Sequence, residues 1–356
     1  MEVALLTEKL PFFDRIPLQL RALYESFGYR KYRMDKFETY DTYRENKNFL
    51  TGEGIITFTG AGGRLMALKP DVTISIIKNV DPEDVREKLF YHENVFRMKK
   101  GDGEVREISQ TGLEYIGADD AFSEAEVVIL AAKSLSLLDE NDILNIGHMG
   151  FLSGVFGDLS EELLDALAGK NRAALAEICG DAELAETLCT LCEKPTAELE
   201  FLKGLVKNER TQAAFEELKT LAGLLCAAGL DENIRIDFST VNAPDYYNGI
   251  VMRGYISKAA SAVLAGGRYD SMMRRFGKPQ TALGFAIYLG ELERVFYEPS
   301  EFDADILLVY GECDPREALE KAEKMRAQGY TVRAEKDQNG GVRAKKTIVL
   351  GANQDA

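Results

Sequence analysis

KLFYHENVFR, residues Lys88–Arg97, and REISQTGLEYI, residues Arg106–Ile116, are two strand-like runs joined by Met98-Lys99-Lys100-Gly101-Asp102-Gly103-Glu104, a charged loop with two glycines. A connection this short pairs its strands antiparallel, because parallel pairing needs a crossover of a dozen or more residues. Side chains two apart on a strand share a face, so Gln110, Gly112 and Glu114 project together. With Arg97 and Arg106 close by in sequence, this places a cation beside amide and carboxylate acceptors, a combination that suits a zwitterion such as an amino acid. The plainer alternative is that Arg97 and Glu114 form a solvated cross-strand ion pair of small consequence.

Upstream of the hairpin, Ile16, Leu20, Leu23, Tyr24 and Phe27 recur at helical spacing over Arg15–Gly28. Tyr29–Phe37 reads as extended, and Gly54–Thr59 with Arg64–Leu68 reads as a second hairpin around Gly60-Ala61-Gly62-Gly63. Lys69-Pro70-Asp71-Val72-Thr73 opens a helix to about Val80. The unpaired N–H groups of its first turn, with Asp71 and Thr73, could hold the ammonium or carboxylate of a ligand. Downstream, Ala121–Leu138 predicts a helix and Asp142–His148 a strand. Ser160–Gly229 is nearly all helical, with breaks at Gly169, Gly180 and Pro195. Strands follow at Ile234–Phe238, Ile250–Tyr255 and Ser261–Leu264, the last leaving through Gly266-Gly267 into a helix from Tyr269 to Phe276. From Asp303 the pattern is strand, helix, strand, strand. Hairpins without regular βαβ alternation define an α+β fold on a mainly antiparallel sheet flanked by helices. The expected division is a core over residues 1–300, with a helical insertion at about 158–230, and a small α/β unit over 303–356.

The 356 residues carry 59 Asp and Glu against 43 Lys and Arg, a formal charge of −16. That balance argues against nucleic acid, tRNA included, because backbone affinity rests on Lys and Arg. The clusters Arg30-Lys31-Tyr32-Arg33 and Arg343-Ala344-Lys345-Lys346 read as solvated faces. No membrane-length apolar run occurs, charged residues interrupt Met1–Pro11 where a signal peptide needs an apolar core, and five cysteines are an odd, sparse set, so the chain reads as cytoplasmic. Cys189-x-x-Cys192 invites a metal or redox reading, but without a second pair the two fit a helical core better; no metal and no cofactor is expected. Gly266-Gly267 permits close backbone approach to a ligand or serves as a tight strand exit, and Tyr246 and Tyr247 read first as packing residues. At this level a small-molecule site for an amino acid and a protein-binding subunit without chemistry both stand.

The order of these clusters is specific. Lys69-Pro70-Asp71-Val72-Thr73, then Phe96-Arg97, then Arg106…Gln110…Gly112-Leu113-Glu114, then Asp245-Tyr246-Tyr247-Asn248-Gly249, then Gly266-Gly267-Arg268-Tyr269-Asp270 and Gly284-Phe285-Ala286 resemble the catalytic core of histidyl-tRNA synthetases over residues 10 to 300. The resemblance implies the class II aminoacyl-tRNA synthetase-like fold and a dimer. It also implies histidine-pocket positions at Asp71, Thr73, Arg97, Gln110, Glu114, Tyr246, Tyr247, Gly266 and Gly267.

The departures fall on the chemistry. Asn242-Ala243-Pro244 replaces the Arg-Gly-Leu that precedes the paired tyrosines in the synthetases, and Asn lacks the cationic fork that neutralises phosphate charge. Glu291 occupies the position where the family places an Arg on the ATP phosphates, and the tail is much reduced relative to an anticodon-binding domain. Lost synthetase chemistry with a retained pocket resembles the synthetase paralogues that serve as regulatory subunits of ATP phosphoribosyltransferase. That implies no catalytic residues, histidine as ligand and feedback signal for the first step of histidine biosynthesis, and a short-form catalytic subunit as partner. The implied assembly is a self-dimer within a hetero-octamer of four chains of each kind. A divergent histidyl-tRNA synthetase, disfavoured by Asn242 and Glu291, and a free-standing histidine-binding paralogue with another protein partner are the alternatives.

Overall fold

The computed structural model describes residues 10–44, 53–81, 83, 86–99, 103–191, 196–230, 232–240, 246–296, 301–338 and 340–351. Helix α1 (Phe12–Ser26) buries Ile16, Leu20 and Tyr24 along one stripe. Five short strands follow: β1 (Arg30–Lys31), β2 (Phe37–Thr39), β3 (Glu53–Gly54), β4 (Thr57–Thr59) and β5 (Leu65–Leu68). β4 and β5 form the expected hairpin, and β2 completes a three-stranded antiparallel sheet. The first half of the expected strand Gly54–Thr59 goes elsewhere. Glu53 and Gly54 pair with Lys99 and Met98 of the main sheet, while Ile55 packs into a core cluster. Helix α2 (Val72–Asn79) begins at Asp71, whose carboxylate accepts from the Ile74 N–H at 2.9 Å and so caps the first turn.

β6 (Glu87–Lys99) and β7 (Val105–Ile116) pair antiparallel with Arg97 opposite Arg106. They join β8 (Asp142–His148), β9 (Ile234–Ile236), β10 (Ile250–Ile256), β11 (Leu264–Arg268) and β12 (Ala282–Tyr288). Among the described residues this sheet has nine strands, in the order β1-β6-β7-β12-β11-β10-β8-β9 with β3 also on β6. Its two flanking pairs, β1 with β6 and β8 with β9, are parallel, and the rest are antiparallel.

Alternation along the strands gives the sheet two faces. Phe90, Leu113 and Phe285 lie in one row across β6, β7 and β12 and enter the larger core with helix α1 and helix α3 (Ala121–Ser136). Each such side chain contributes roughly 2–3 kcal/mol on burial. The opposite face carries Leu89, Glu114 and Gly284 in the adjacent row, with Tyr91 and Ile116 nearby, and supports a smaller core with α2 and helix α4 (Asp270–Arg275). That face holds the site.

The segment expected to be helical holds three short helices, Glu161–Ala168, Arg172–Cys179 and Ala182–Leu191, a 3₁₀ segment at Thr196–Leu205 and a long helix, Glu209–Ala227. Breaks fall at Gly169 and Gly180 as expected; Pro195 lies outside the described residues. One expectation is corrected. Gly266-Gly267 is not a strand exit but the interior of β11, because a side chain at either position would strike the neighbouring strand or a ring lying over it.

The chain divides into Met1–Phe296 and Tyr297–Ala356. In the second unit, strands Ala304–Val309, Val332–Glu335 and Ala344–Val349 form a parallel sheet with the first strand central. Helix Pro315–Ala327, capped by Asp314, packs Ala318 and Ala322 against Leu308 and Leu350.

Candidate functional site

A cavity of about 230 Å3 opens on the second face of the sheet. Its floor is made of small residues on adjacent strands, Gly284 and Ala286 on β12 and Ala265 on β11, with Gly112 of β7 in the same row as the two alanines. The small residues are dictated by what lies across them. A methyl group on Gly284 would sit 1.8 Å from Glu114 Oε2, and one on Gly112 would sit 2.6 Å from the Tyr91 hydroxyl. Gly267 plays the same part under Tyr247, whose Cδ1 would be 2.7 Å from an added Cβ. Large polar side chains can therefore lie flat on the sheet only because their cross-strand neighbours have no side chain.

Glu114 is 2% exposed. It accepts hydrogen bonds from the Thr73 hydroxyl and the Tyr269 hydroxyl, each at 2.7 Å. Burial pushes its carboxyl up to about 8 against the pull of those two donors, and the charge of Asp71 raises it further. At neutral pH it holds its proton, and the buried carboxyl can both donate and accept. Burial also raises the Asp71 carboxyl, outweighing Arg97 and the N–H groups of the helix start. Arg97 donates from Nε to the Pro70 carbonyl at 2.8 Å and stands 3.6 Å from Asp71 Oδ2. The plain alternative, an Arg97–Glu114 ion pair, does not form: the register sets Glu114 opposite Leu89 and Arg97 opposite Arg106, which turns to Glu104 at 3.0 Å.

The structure thus gathers Asp71, Thr73, Arg97, Gln110, Glu114, Tyr246, Tyr247 and Gly266 around one cavity. Gly267 lies beneath the Tyr247 ring and is not part of the wall. Tyr246 stands 4.7 Å from Tyr247 and 6.3 Å from Tyr269, centroid to centroid. Burial raises the hydroxyls of Tyr91, Tyr246, Tyr247 and Tyr269 well above their ordinary range, so they act as neutral polar groups on apolar bodies. Tyr246 and Tyr247 border the cavity and also pack against the smaller core.

Sequence reasoning missed Tyr91, Arg253 and Tyr288 in the wall. Tyr91 and Arg253 fall in one row across the sheet through Ala265, Ala286 and Gly112, a coincidence of register that local sequence does not carry. Tyr288 is paired with Gln110, and only that pairing brings it to the wall.

The remaining candidates lie apart from the cavity. Glu291 is exposed in the first turn of the helix Leu289–Phe296. Asn242 lies outside the described residues, as does Cys192; Cys189 is buried in the helix Ala182–Leu191. No group of three or more metal-ligating side chains occurs among the described residues. The basic clusters face acids: Arg30 pairs with Glu87, Arg343 with Asp303 at 3.2 Å and Lys345 with Asp305 at 2.9 Å. A larger hollow of about 570 Å3 is lined by polar pairs, including His148 with Glu217 at 3.3 Å and Arg268 with Glu124 at 3.7 Å, and none of the expected histidine-pocket residues borders it. No helix among the described residues is long and apolar enough to cross a membrane.

Comparison with known proteins gives a consistent picture. The histidyl-tRNA synthetase family matches residues 5–292. An ATP phosphoribosyltransferase regulatory subunit of Clostridium kluyveri is 30% identical, over 87% of this chain and 85% of its own. Another, of Caldanaerobacter subterraneus subsp. tengcongensis, is 30% identical over 92% of this chain and 91% of its own. A Bacillus halodurans structure described as an ATP phosphoribosyltransferase regulatory subunit/histidyl-tRNA synthetase superposes with a TM-score of 0.75 at 24% identity, covering 94% of this chain and 93% of that one. A chain from an ATP phosphoribosyltransferase complex of Thermotoga maritima gives a TM-score of 0.61 at 18% identity, covering 79% of this chain and 98% of that one. At these identities the two structural likenesses speak for the fold.

Proposed function

The chain belongs to the family of ATP phosphoribosyltransferase regulatory subunits, built on the histidyl-tRNA synthetase core, and from that premise we propose that it senses free histidine in the Glu114 cavity and passes the signal to a separate catalytic chain. It is a regulatory subunit acting at the first step of histidine biosynthesis. The observation that carries the ligand assignment is the buried Glu114 carboxyl, held by Thr73 and Tyr269 at the end of a cavity small enough for an amino acid. An imidazole titrates near pH 6.5 and this carboxyl near 8, so ring and carboxyl share one proton across the neutral range.

Synthetase chemistry is lost on this reading. The exposed Glu291 repels a triphosphate where the resemblance implies an Arg, and Asn242 offers no permanent charge. Function then resides in coupling. Histidine shifts the activity of the assembly only if it binds one state better than the other, and the same difference makes the catalytic chain alter histidine affinity in return. The partner is a short-form catalytic subunit, with this chain present as a dimer in a hetero-octamer.

Mixing the pure chain with such a catalytic subunit tests the proposal. The two should co-elute as a larger species with raised phosphoribosyltransferase activity that histidine lowers, and the chain alone should show no histidine-dependent exchange of pyrophosphate into ATP. Separate elution with unchanged activity, or robust exchange, overturns it.

A further inference from the structure

Arg253 is a cation in the cavity wall to which the sequence assigns no part. It stands on β10, opposite Asn145 of β8 and Ala265 of β11, and is half-buried. Among the described residues it forms neither an ion pair nor a hydrogen bond, whereas Arg97, the other cation of the wall, is held by Pro70 and Asp71. A guanidinium stays charged at any accessible pH, and its planar fork matches a carboxylate. Leaving such a group half-buried beside a cavity is unfavourable unless something answers its charge.

The register gives the spacing. Across the sheet, Arg253 is followed by Ala265, Ala286 and Gly112, so Arg253 and β7 are three strand intervals apart, roughly 14 Å of backbone. In that row the strands between them carry only the methyl groups of Ala265 and Ala286, both of which border the cavity, while Tyr288, two residues along β12 from Ala286, stands beside the row. At the β7 end, on the same face as Gly112, stand Gln110 and Glu114. The open space therefore has a lone cation at one end and a proton-bearing carboxyl at the other.

We propose that Arg253 is a carboxylate subsite: an amino acid lies over Ala265 and Ala286 with its α-carboxylate on the guanidinium fork and its side chain at Glu114. This rests on the histidine reading above and adds the orientation of the ligand and the residue that selects for its acid group. It follows that the cavity discriminates against analogues without a carboxylate.

Calorimetry on the full chain with histidine and with histidinol, in which the carboxylate is replaced by a hydroxymethyl group, tests this. Wild type should bind histidine roughly 30-fold more tightly than histidinol, the range for a charged hydrogen bond. Arg253→Met, which keeps most of the side-chain length without the charge, should lose that preference by weakening histidine while leaving histidinol within about threefold, and Arg253→Lys should be intermediate. Equal histidine affinity in wild type and Arg253→Met overturns the inference while the histidine reading stands. If Arg253→Met does not fold, as judged by far-UV circular dichroism, the wild-type ratio decides, and a ratio near one overturns the inference. Failure of wild type to bind either compound removes the histidine reading itself.

Discussion

Replacing Glu114 with Gln removes the titration while keeping the shape of the buried group, and the outcome follows from the environment of Glu114. Its carboxyl is lifted from 4.5 to about 8 by burial, on the order of 4–5 kcal/mol of difference between its two protonation states. The sign is fixed by proton binding. Between these two values the folded chain holds a proton that the unfolded chain has released, so stability falls as pH rises, and the full loss is present above about pH 8. Below about pH 4.5 both states are protonated and the contribution vanishes. Gln has no such term. Its carbonyl can still accept from Thr73 and its amide can donate to the Tyr269 hydroxyl, so the two hydrogen bonds survive in altered polarity.

Urea unfolding of wild type and Glu114→Gln, followed by far-UV circular dichroism from about pH 5 to about pH 8.5, should give curves that nearly coincide at the acid end and diverge toward the alkaline end. The variant should be the more stable by several kcal/mol at the top of the range, on the order of the figure above. The difference between the two proteins isolates Glu114 from every other titrating group, including Glu124, which burial also raises to about 8. The same variant should bind histidine at least about tenfold more weakly, having no proton to share with the ring. A constant offset between the two stability curves across the range refutes the reasoning.

Gly284→Ala should destabilise the chain by about 3 kcal/mol and abolish histidine binding, because the new methyl would lie 1.8 Å from Glu114 Oε2 and 2.4 Å from the Leu113 carbonyl; a melting temperature and an affinity like those of wild type contradict the close-approach account. Asp71→Ala should cost about 1 kcal/mol through loss of the cap on Ile74 and should also weaken histidine by releasing Arg97, both measurable in one calorimetric series. Lys69 is 0% exposed and pairs with the partly exposed Glu93 at 2.7 Å. Glu93→Ala, which leaves a buried ammonium unanswered, should cost about 3 kcal/mol, and Lys69→Met much less; equal costs in urea titrations would contradict that asymmetry.

What the sequence showed and what it hid divide along the range of the interactions involved. The hairpin over Lys88–Ile116, the helix from Val72 and the strand Asp142–His148 are set by local periodicity and capping, and each was legible. Gly266-Gly267 was misplaced because two glycines look locally like a break, whereas the pressure for them comes from Gly284, Phe285 and Tyr247 on other parts of the chain. Glu53 and Gly54 left the expected hairpin for the same kind of reason, drawn to Lys99 and Met98 some forty residues away. Within the cavity, Gln110 and Glu114 could be assigned to one face by counting in twos, Asp71 and Thr73 stood out at the start of a helix, and the resemblance added the paired tyrosines as pocket positions. Arg253, in Val251-Met252-Arg253-Gly254, reads as an ordinary outward charge on a strand, and only the pairing of β10 with β11 turns it toward a site.

The glycines beneath the side chains of the cavity also bear on how such a protein can diverge. Gly112, Gly267 and Gly284 are each fitted to one overlying side chain, Tyr91, Tyr247 and Glu114. Enlarging one of these glycines expels its cover, and shrinking a cover opens a void over bare backbone. Either single step loses packing before it gains a new ligand, so a change of specificity has to arrive as a matched pair of substitutions. An exposed position such as Glu291 is under no such matched constraint and can change alone. A lineage under relaxed selection would therefore lose its reactivity long before it lost the imprint of the amino acid it once activated, and that imprint is the raw material from which a sensor can be made.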